Sequence, residues 1–220
     1  MTDRFFSLDY VEHAELRDGT RVLLRLVVPD DKDLLRAGFE RLSSESRYAR
    51  FLVPKERLSD DELRYLCEID YENHFALGAI REGSDPPVGL GIARFIRLDD
   101  PEIAEAAIAV ADEVHGLGLG KLLFLRLVAA AAERGVMRFR CEVLGSNTSM
   151  SALLAAVSPD RTIEVGGGVM SIEIELPHVT PTQPSTDPAP HGPMYRLFRL
   201  AAQNALDWTD AVRRFWLGDR

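Results

Sequence analysis

The sequence predicts a mixed α/β fold, one sheet accompanied by helices, on three observations. Apolar β-branched runs alternate with amphipathic helical stretches over the first 176 residues. Two apolar runs, 74–80 and 88–96, flank a Gly- and Pro-containing turn, which is typical of an antiparallel hairpin. A glycine-rich turn at 116–120 precedes a long helix. These features predict the order β-α-α-β-β-β-α-β-α-β-β, with antiparallel strands at both ends of the sheet.

Local signals place the elements of the first half. Residues 21–28 are apolar and β-branched after a turn-like Asp-Gly pair, which predicts the first strand. A helix is predicted to open at Pro29, because acidic residues gather in its first turn. The second helix is predicted from Ser59, where Glu62 follows at capping-box spacing. The apolar residues of 43–54 show no helical or strand periodicity, so we predict neither a helix nor a strand there.

The second half is predicted in the same way. Gly135 suits the C′ position of the long helix, and Ser146 or Asn147 suits the N-cap of the next one. In order, the elements are a strand over 103–110, a helix over 119–134, a strand over 137–144, a helix ending near Val157, and a hairpin of strands 161–165 and 169–176.

Composition divides the chain into four parts. Residues 1–20 form an N-terminal segment, and residues 21–177 carry the predicted sheet and helices. Residues 178–193 are rich in Pro, Thr, Ser and Ala, which is typical of an extended linker. From 194 to 220, apolar residues recur every three or four positions, which predicts one amphipathic helix. We expect that helix to dock on its own domain or on a partner subunit, which includes a homodimer formed through it; a membrane-surface helix is the less favoured alternative, because its excess of positive charge is small.

Charge and cysteine content narrow the function classes. The formal net charge of −9 argues against a nucleic-acid partner and favours amine-bearing ones. Cys67 and Cys141 lie far apart, without metal-ligand spacing, so we expect no metal and two buried thiols in a reducing compartment. The N-terminus lacks a signal-like apolar region, and no apolar run reaches about 18 residues. We therefore expect a cytoplasmic protein without a membrane association.

Three glycines stand at alternate positions in VHGLGLGKLL, residues 114–123. Free N–H groups and the helix dipole favour an anion at such a helix start, and glycine allows the backbone to come close to it. A P-loop is excluded, since His115 stands five residues before Gly120 and Leu122 follows Lys121. A Rossmann fingerprint would need glycine in place of Lys121. A phosphate-binding turn and a turn that merely ends a strand both remain open.

The stretch from Val110 to Gly135 resembles the acyl-CoA-binding segment of the GNAT N-acetyltransferase superfamily. Its pattern, [Q/R]-x-x-G-x-[G/A], falls on His115, Gly118 and Gly120, with Gly116 as an additional glycine. The predicted element order is also that of the superfamily, and the resemblance covers roughly residues 20–176. It implies the GNAT acyl-CoA N-acyltransferase fold with a C-terminal helical extension, and acetyl-CoA as the acyl donor.

The resemblance also implies how acetyl-CoA is held. Backbone N–H groups would bind the pyrophosphate, and the backbone of Ile108 and Val110 would pair with the pantetheine arm like an added strand. Asn147 resembles an asparagine that contacts the pantetheine, although it is equally a plain N-cap. His115 departs from the expected Gln or Arg, which leaves one side-chain contact open. The residues of the pyrophosphate turn are His115, Gly116, Leu117, Gly118, Leu119, Gly120 and Lys121.

Acyl transfer to an amine needs a group that takes the amine proton, because a lysine-type amine has a pKa near 10.4. Glu105 is the candidate base, since Ala104-Glu105 resembles the "AE" of bacterial protein-lysine acetyltransferase (Pat-like) domains; the alternative is a solvated surface acid. SRYARF, residues 46–51, resembles the acceptor-side stretch of the same domains. Tyr48 and Arg50 are therefore candidate pocket residues, or else packing and ion-pair residues. His74 and Asp70 are expected to be a packed histidine and a turn cap.

The tyrosine that the resemblance implies as general acid is missing from the sequence. Many GNAT enzymes carry a tyrosine that protonates the departing thiolate, and Leu153 or Leu154 occupies that position here; Ser151 is a less favoured candidate for the same role. The predicted function is acetyl transfer from acetyl-CoA to a primary amine, either a protein lysine or a small amine. The alternative is a catalytically weak or inactive acyl-CoA-binding sensor.

Overall fold

The computed structural model describes residues 4–158 and 161–176. The strands in this part of the chain are β1 Val11–Glu15, β2 Arg21–Leu26, β3 His74–Arg81, β4 Gly89–Arg97, β5 Ile103–Val110, β6 Arg138–Leu144, β7 Thr162–Gly166 and β8 Val169–Glu175. The helices are α1 Lys32–Glu40, α2 Ser44–Phe51, α3 Asp60–Cys67, α4 Leu119–Ala132 and α5 Thr148–Val157. The predicted mixed α/β class is confirmed.

The described strands form a single sheet in the order β1-β2-β3-β4-β5-β6-β8-β7. Neighbouring strands are antiparallel, except that β5 and β6 run parallel. The parallel pairing joins only Ile103–Glu105 to Arg138–Arg140, so the rest of β5 lacks a partner on that side. This split in the middle of the sheet positions the site described below.

Helix α4 covers one face of the sheet. It is apolar on nearly all sides, which is typical of a helix enclosed by the protein, and it packs on Phe75, Phe95 and Ala106 of three adjacent strands. Gly91 permits this contact, because a Cβ there would lie only 2.9 Å from Leu123 Cδ1 and 3.2 Å from the Ala109 carbonyl oxygen. The close approach fixes the start of α4 against β4.

Helices α1 and α3 lie on the opposite face. Cys67 of α3 packs with Ala76 of β3 and Val27, and Leu35 of α1 joins the same cluster. The capping box at the start of α3 is confirmed, with Ser59 and Glu62 exchanging hydrogen bonds. Both cysteines are buried free thiols, as expected.

The structure adds two elements to the predicted order. Helix α2 has no fully buried residue. Its N-cap is Ser43, whose hydroxyl accepts a hydrogen bond from Ser46 N at 3.1 Å. Strand β1 lies in the stretch predicted as an N-terminal segment, and it pairs with β2 at the sheet edge. Its Glu12 accepts a 2.7 Å hydrogen bond from the buried Arg126 of α4. Both elements depend on contacts with distant residues, which a local pattern does not reveal.

The predicted linker over 178–193 and the helix over 194–220 lie outside the described residues. None of the described helices combines the length and the apolar character that crossing a bilayer requires. Within the same residues, no group of three or more His, Cys, Asp or Glu side chains is placed to hold a metal ion.

Candidate active site

The glycine-rich turn leads directly into α4, and no side chain caps the N-terminus of this helix. Gly116 and Gly118 have φ angles of +74° and +99°, a region that favours glycine, and Gly118 is the N-cap of α4. The N–H groups of the first helical turn therefore have neither an intrahelical acceptor nor a side-chain cap. Leu117 differs, because its N–H donates to the Val114 carbonyl at 3.4 Å. The geometry at this helix start suits an anion.

Arg17, between β1 and β2, donates two hydrogen bonds to the glycine-rich turn. Its backbone N–H donates to the Leu117 carbonyl at 3.3 Å, and its Nη1 donates to the Gly116 carbonyl at 3.2 Å. Burial, and next the charge of Arg17, lower the pKa of the neighbouring Lys121 amine. Two cations thus stand beside the start of α4. Sequence reasoning missed Arg17, since 99 residues separate it from Gly116.

His115, the departure from the family pattern, ties the turn to the end of β5. Its Nε2 lies 3.0 Å from the Val110 carbonyl oxygen, so this nitrogen carries a proton and donates. Its Nδ1 lies 3.9 Å from Asp112 Oδ1. A histidine therefore closes the loop between strand and helix through the backbone of Val110.

The unpaired edge of β5 faces an open cleft. Ala111 N donates to the Leu90 carbonyl of the β4 side at 2.8 Å, so alternation turns the N–H and C=O groups of Ile108 and Val110 away from β4. A cleft of about 610 Å³ lies along this edge. Among the predicted site residues, its lining includes Arg50, Ile108, Val110, His115, Gly116, Gly118, Leu119, Gly120, Lys121 and Asn147. Leu117, Tyr48 and Glu105 are not part of that lining.

Asp112 fixes α2 across the cleft. Its carboxylate accepts hydrogen bonds from Ser43 N at 2.7 Å and from the hydroxyls of Ser43 and Ser46. Burial opposes its ionisation, but the hydrogen bonds from Ser46 and Ser43 outweigh that effect and lower the pKa of Asp112. The carboxylate therefore stays charged and keeps the helix that carries Arg50 in place.

Glu105 lies where the pairing of β5 with β6 ends. The register of β4 with β5 is continuous over Gly91–Arg97, so no bulge changes the alternation. Glu105 therefore shares a face with Ala107 and Ala109, the face on the α1–α3 side, and it is exposed. Its carboxylate has no hydrogen bond or ion pair with residues 4–158 or 161–176, which leaves it available to a substrate amine.

The two acceptor-side candidates differ in position. Arg50 lines the cleft and stacks over the Phe51 ring, 5.0 Å from its centroid. Burial lowers the pKa of Arg50, and the charge of Glu105 opposes this shift, so the two groups interact across the site. Tyr48 is 43% exposed, and its part in a pocket remains a prediction.

Helix α5 supplies no hydroxyl proton donor at the position of the expected tyrosine. Leu154 is fully buried there, and Leu153 lines the cleft. The Ser151 hydroxyl donates to the Asn147 carbonyl at 3.0 Å, so its proton is already engaged. Asn147 acts as the N-cap of α5, with Oδ1 accepting from Met150 N at 3.0 Å. The cap is confirmed, and a contact with pantetheine remains a prediction.

His74 and Asp70 have the structural roles predicted for them. Asp70 Oδ1 accepts from the backbone N–H groups of Glu72, Asn73 and His74 at 2.8–2.9 Å. His74 Nε2 lies 2.8 Å from an Arg94 Nη1 and accepts from it. Arg94, buried in β4, was not predicted; its sequence signal is a lone arginine inside an apolar strand.

Known proteins are similar to this chain in sequence and in fold. The model of the acetyltransferase (GNAT) family matches residues 38–156. The acetyltransferase Pat of Mycolicibacterium smegmatis is 34% identical over 167 residues, which cover 76% of this chain and 49% of Pat. The chain thus spans about half the length of that relative. Acetyltransferase PA5475 of Pseudomonas aeruginosa is 30% identical over 156 residues, covering 68% of this chain and 84% of the relative.

Solved structures agree with the sequence matches. The crystal structure of the GNAT domain of S. lividans PAT superposes with a TM-score of 0.68 at 28% identity, covering 76% of this chain and 97% of that domain. This chain belongs to the GNAT acetyltransferase family.

Proposed function

We propose that this protein transfers the acetyl group of acetyl-CoA to a primary amine. One observation carries the proposal: the unpaired edge of β5 leads directly to the uncapped N-terminus of α4, along one cleft of about 610 Å³. A strand edge suits an extended amide-containing arm, and a helix start suits a phosphate. Acetyl-CoA contains both groups in that order.

The residues of the cleft fit the donor. The first-turn N–H groups of α4 would hold the pyrophosphate, with Arg17 and Lys121 supplying positive charge. The backbone of Ile108 and Val110 would pair with the pantetheine arm, although the Val110 carbonyl already accepts from His115. One lone pair of that carbonyl remains for a ligand. The donor thioester would then reach the part of β5 next to Glu105.

Glu105 would act as the general base. The acceptor ammonium loses its proton to this carboxylate, and the neutral amine attacks the thioester carbonyl carbon. The tetrahedral intermediate loses its second amine proton to solvent and collapses with cleavage of the C–S bond, giving a neutral amide and the CoA thiolate. The Ser151 hydroxyl already donates to the Asn147 carbonyl, so we propose that the thiolate leaves unprotonated and takes its proton from solvent. A thiol pKa near 8.5 makes such a leaving group acceptable.

A second function rests on a specific observation, the leucines at the general-acid position. A family member with Leu153 lining the cleft in place of the expected tyrosine would serve as an acyl-CoA sensor if turnover were negligible. Both functions require acetyl-CoA binding. They differ in amine-dependent release of free CoA.

Calorimetric titration of acetyl-CoA, followed by a thiol-release assay with a panel of primary amines and lysine peptides, tests the proposal. Arg17→Gln should raise the Kd for acetyl-CoA about tenfold, because it removes one cation and one bond to the turn. Arg21→Gln, on the same hairpin but paired with Glu82, is the matched control and should leave the Kd unchanged. Binding without CoA release would favour the sensor, and no binding would contradict both functions.

The acceptor of the proposed reaction is a protein lysine or a small amine, and the residues beside Glu105 bear on that choice below. A cytoplasmic location and a homodimer formed through the predicted C-terminal helix also remain predictions, the latter because residues 194–220 lie outside the described part of the chain.

A further inference from the structure

Arg94 is a buried cation without a buried anion. It is 3% exposed, and its terminal nitrogens donate to the Leu66 carbonyl at 3.2 Å and to His74 Nε2 at 2.8 Å. Both acceptors are neutral, and within residues 4–158 and 161–176 no carboxylate pairs with the guanidinium. Buried charges in proteins are normally paired, so this exception requires an explanation.

The surroundings do not neutralise the charge. Burial and the charge of Arg94 lower the pKa of His74 to about 4, so His74 is neutral near pH 7. Burial, and next the charge of Arg50, lower the pKa of Arg94 to about 9. The guanidinium therefore remains charged at neutral pH. Burying this charge without an anion lowers the stability of the folded protein.

Arg94 and Arg50 line one small cavity between the sheet and helices α1–α3. Its volume is about 100 Å³, room for several water-sized groups. The cavity has two further charged residues, Arg25 and Asp31, and these are paired with each other at 2.6 and 2.7 Å. The other walls are mainly apolar, which strengthens the attraction of Arg50 and Arg94 for an anion, and neither arginine has a carboxylate partner within residues 4–158 and 161–176.

The cavity adjoins the proposed acetyl-CoA cleft. Both are lined by Leu42, Arg50, Ala109 and Val110, so Arg50 stands between them. The strand register places Glu105 close to this cavity. Arg94 of β4 lies opposite Ala107 of β5, and Glu105 is two residues before Ala107, so Arg94 and Glu105 are diagonal neighbours on one face of the sheet. Diagonal pairs are about 7–8 Å apart. A short molecule spans that distance.

We propose that Arg94 and Arg50 bind a carboxylate carried by the amine acceptor, while Glu105 receives the proton of its amine. The inference rests on the proposed acetyl transfer and names the acceptor class: an amine and a carboxylate joined by a short chain. The carboxylate belongs either to a free amino acid or to an acidic side chain beside a lysine. In both cases the shared chemistry is the same, an ammonium at Glu105 and a carboxylate at the arginine pair.

Matched acceptors test the proposal on the full chain with acetyl-CoA. ω-Amino acids of increasing chain length are compared with their ω-amino amides, and the peptide acetyl-Glu-Lys-amide is compared with acetyl-Gln-Lys-amide. The carboxylate member of at least one set should have a kcat/KM about tenfold or more above its amide, because a charge-assisted contact with arginine is lost in the amide. A preference among the ω-amino acids would identify a free amino acid as the source of the carboxylate, and a preference among the peptides would identify an acidic side chain beside a lysine.

Variants assign the preference to the arginines. Arg50→Gln should bring the carboxylate-to-amide ratio close to one; it lies on helix α2 and is only partly buried, so the fold is retained. Arg64→Gln is the control, since Arg64 pairs with Asp61 on the exposed side of α3 and should keep the wild-type ratio. Turnover with a ratio near one in the wild-type protein, or a ratio that Arg50→Gln leaves unchanged, would overturn the proposal.

Direct binding separates this inference from the proposed function. Butyrate should bind to the wild-type protein in calorimetry, and butanamide should not, with butyrate binding lost in Arg50→Gln. Butyrate binding without turnover of any amine would overturn acetyl transfer and keep the carboxylate site. Turnover without butyrate binding or carboxylate preference would overturn the site and keep acetyl transfer.

Discussion

The buried Arg94 on the α1–α3 side of the sheet depends on the protonation state of its neighbour His74. His74 accepts a hydrogen bond from Arg94, and Asp70 fixes the turn from which His74 enters β3. A protonated His74 could not accept that bond and would add a second cation beside Arg94. The pairing therefore requires neutral His74, in agreement with its pKa of about 4.

The low pKa of His74 has a consequence for stability. An unfolded histidine titrates near pH 6.5, so between about pH 6.5 and pH 4 the unfolded chain binds a proton that the folded chain does not. The free energy of unfolding should thus fall as the pH falls through this window, and should be unaffected above it. From pH 7 to pH 5 the loss due to His74 should be about 1–2 kcal/mol, after allowing for its partial exposure to solvent.

His74→Gln tests this prediction, because the glutamine carbonyl can still accept from Arg94 without titrating. Urea unfolding at pH 7 and pH 5 gives the two stabilities for each protein. The wild-type protein should lose about 1–2 kcal/mol more than the variant between these pH values. Equal losses in both proteins would show that His74 does not titrate in this way.

At the scale of elements, the site depends on the position of α4 relative to β4 and β5. Gly91 allows the helix to approach, and the glycine turn then aims the first-turn N–H groups at the end of the cleft. A displaced α4 would move the proposed phosphate site away from the free edge of β5.

Gly91→Ala should destabilise the fold by about 1–3 kcal/mol, because its Cβ would press on Leu123 and the Ala109 carbonyl oxygen. Gly89→Ala, on the same strand, is a matched control: its Cβ would meet Leu34 at an ordinary 3.6 Å. Urea unfolding of both variants measures the difference. Equal stabilities would mean that the contact of α4 with β4 adapts to the added methyl group.

Local signals account for the elements that the sequence predicts well. The Ser59–Glu62 capping box, the glycine turn and the Asn147 cap are complete within a few residues, and all three occur in the structure. Strand β1 and helix α2 were missed because their stabilising partners, Arg126 and Asp112, are far away in sequence. Arg17 and Arg94 were not predicted as site residues for the same reason, since their partners are also distant in sequence.

At the scale of the whole molecule, net charge and local charge point in different directions. The chain carries a formal net charge of −9, which favours amine substrates in general. Beside Glu105, however, Arg50 and Arg94 present two cations in and around an apolar cavity. Composition indicates an amine acceptor, and only the fold shows that positive charge lies next to the predicted base.

The central claim is that Glu105 takes the amine proton in transfer from acetyl-CoA. Amine-dependent CoA release and acetyl-CoA binding should be measured together for wild type, Glu105→Gln and the control Glu102→Gln, an exposed acid in the turn before β5. Glu105→Gln should lower kcat about 10²-fold or more with an unchanged Kd for acetyl-CoA, while Glu102→Gln keeps wild-type values. Wild-type turnover in Glu105→Gln would contradict the claim.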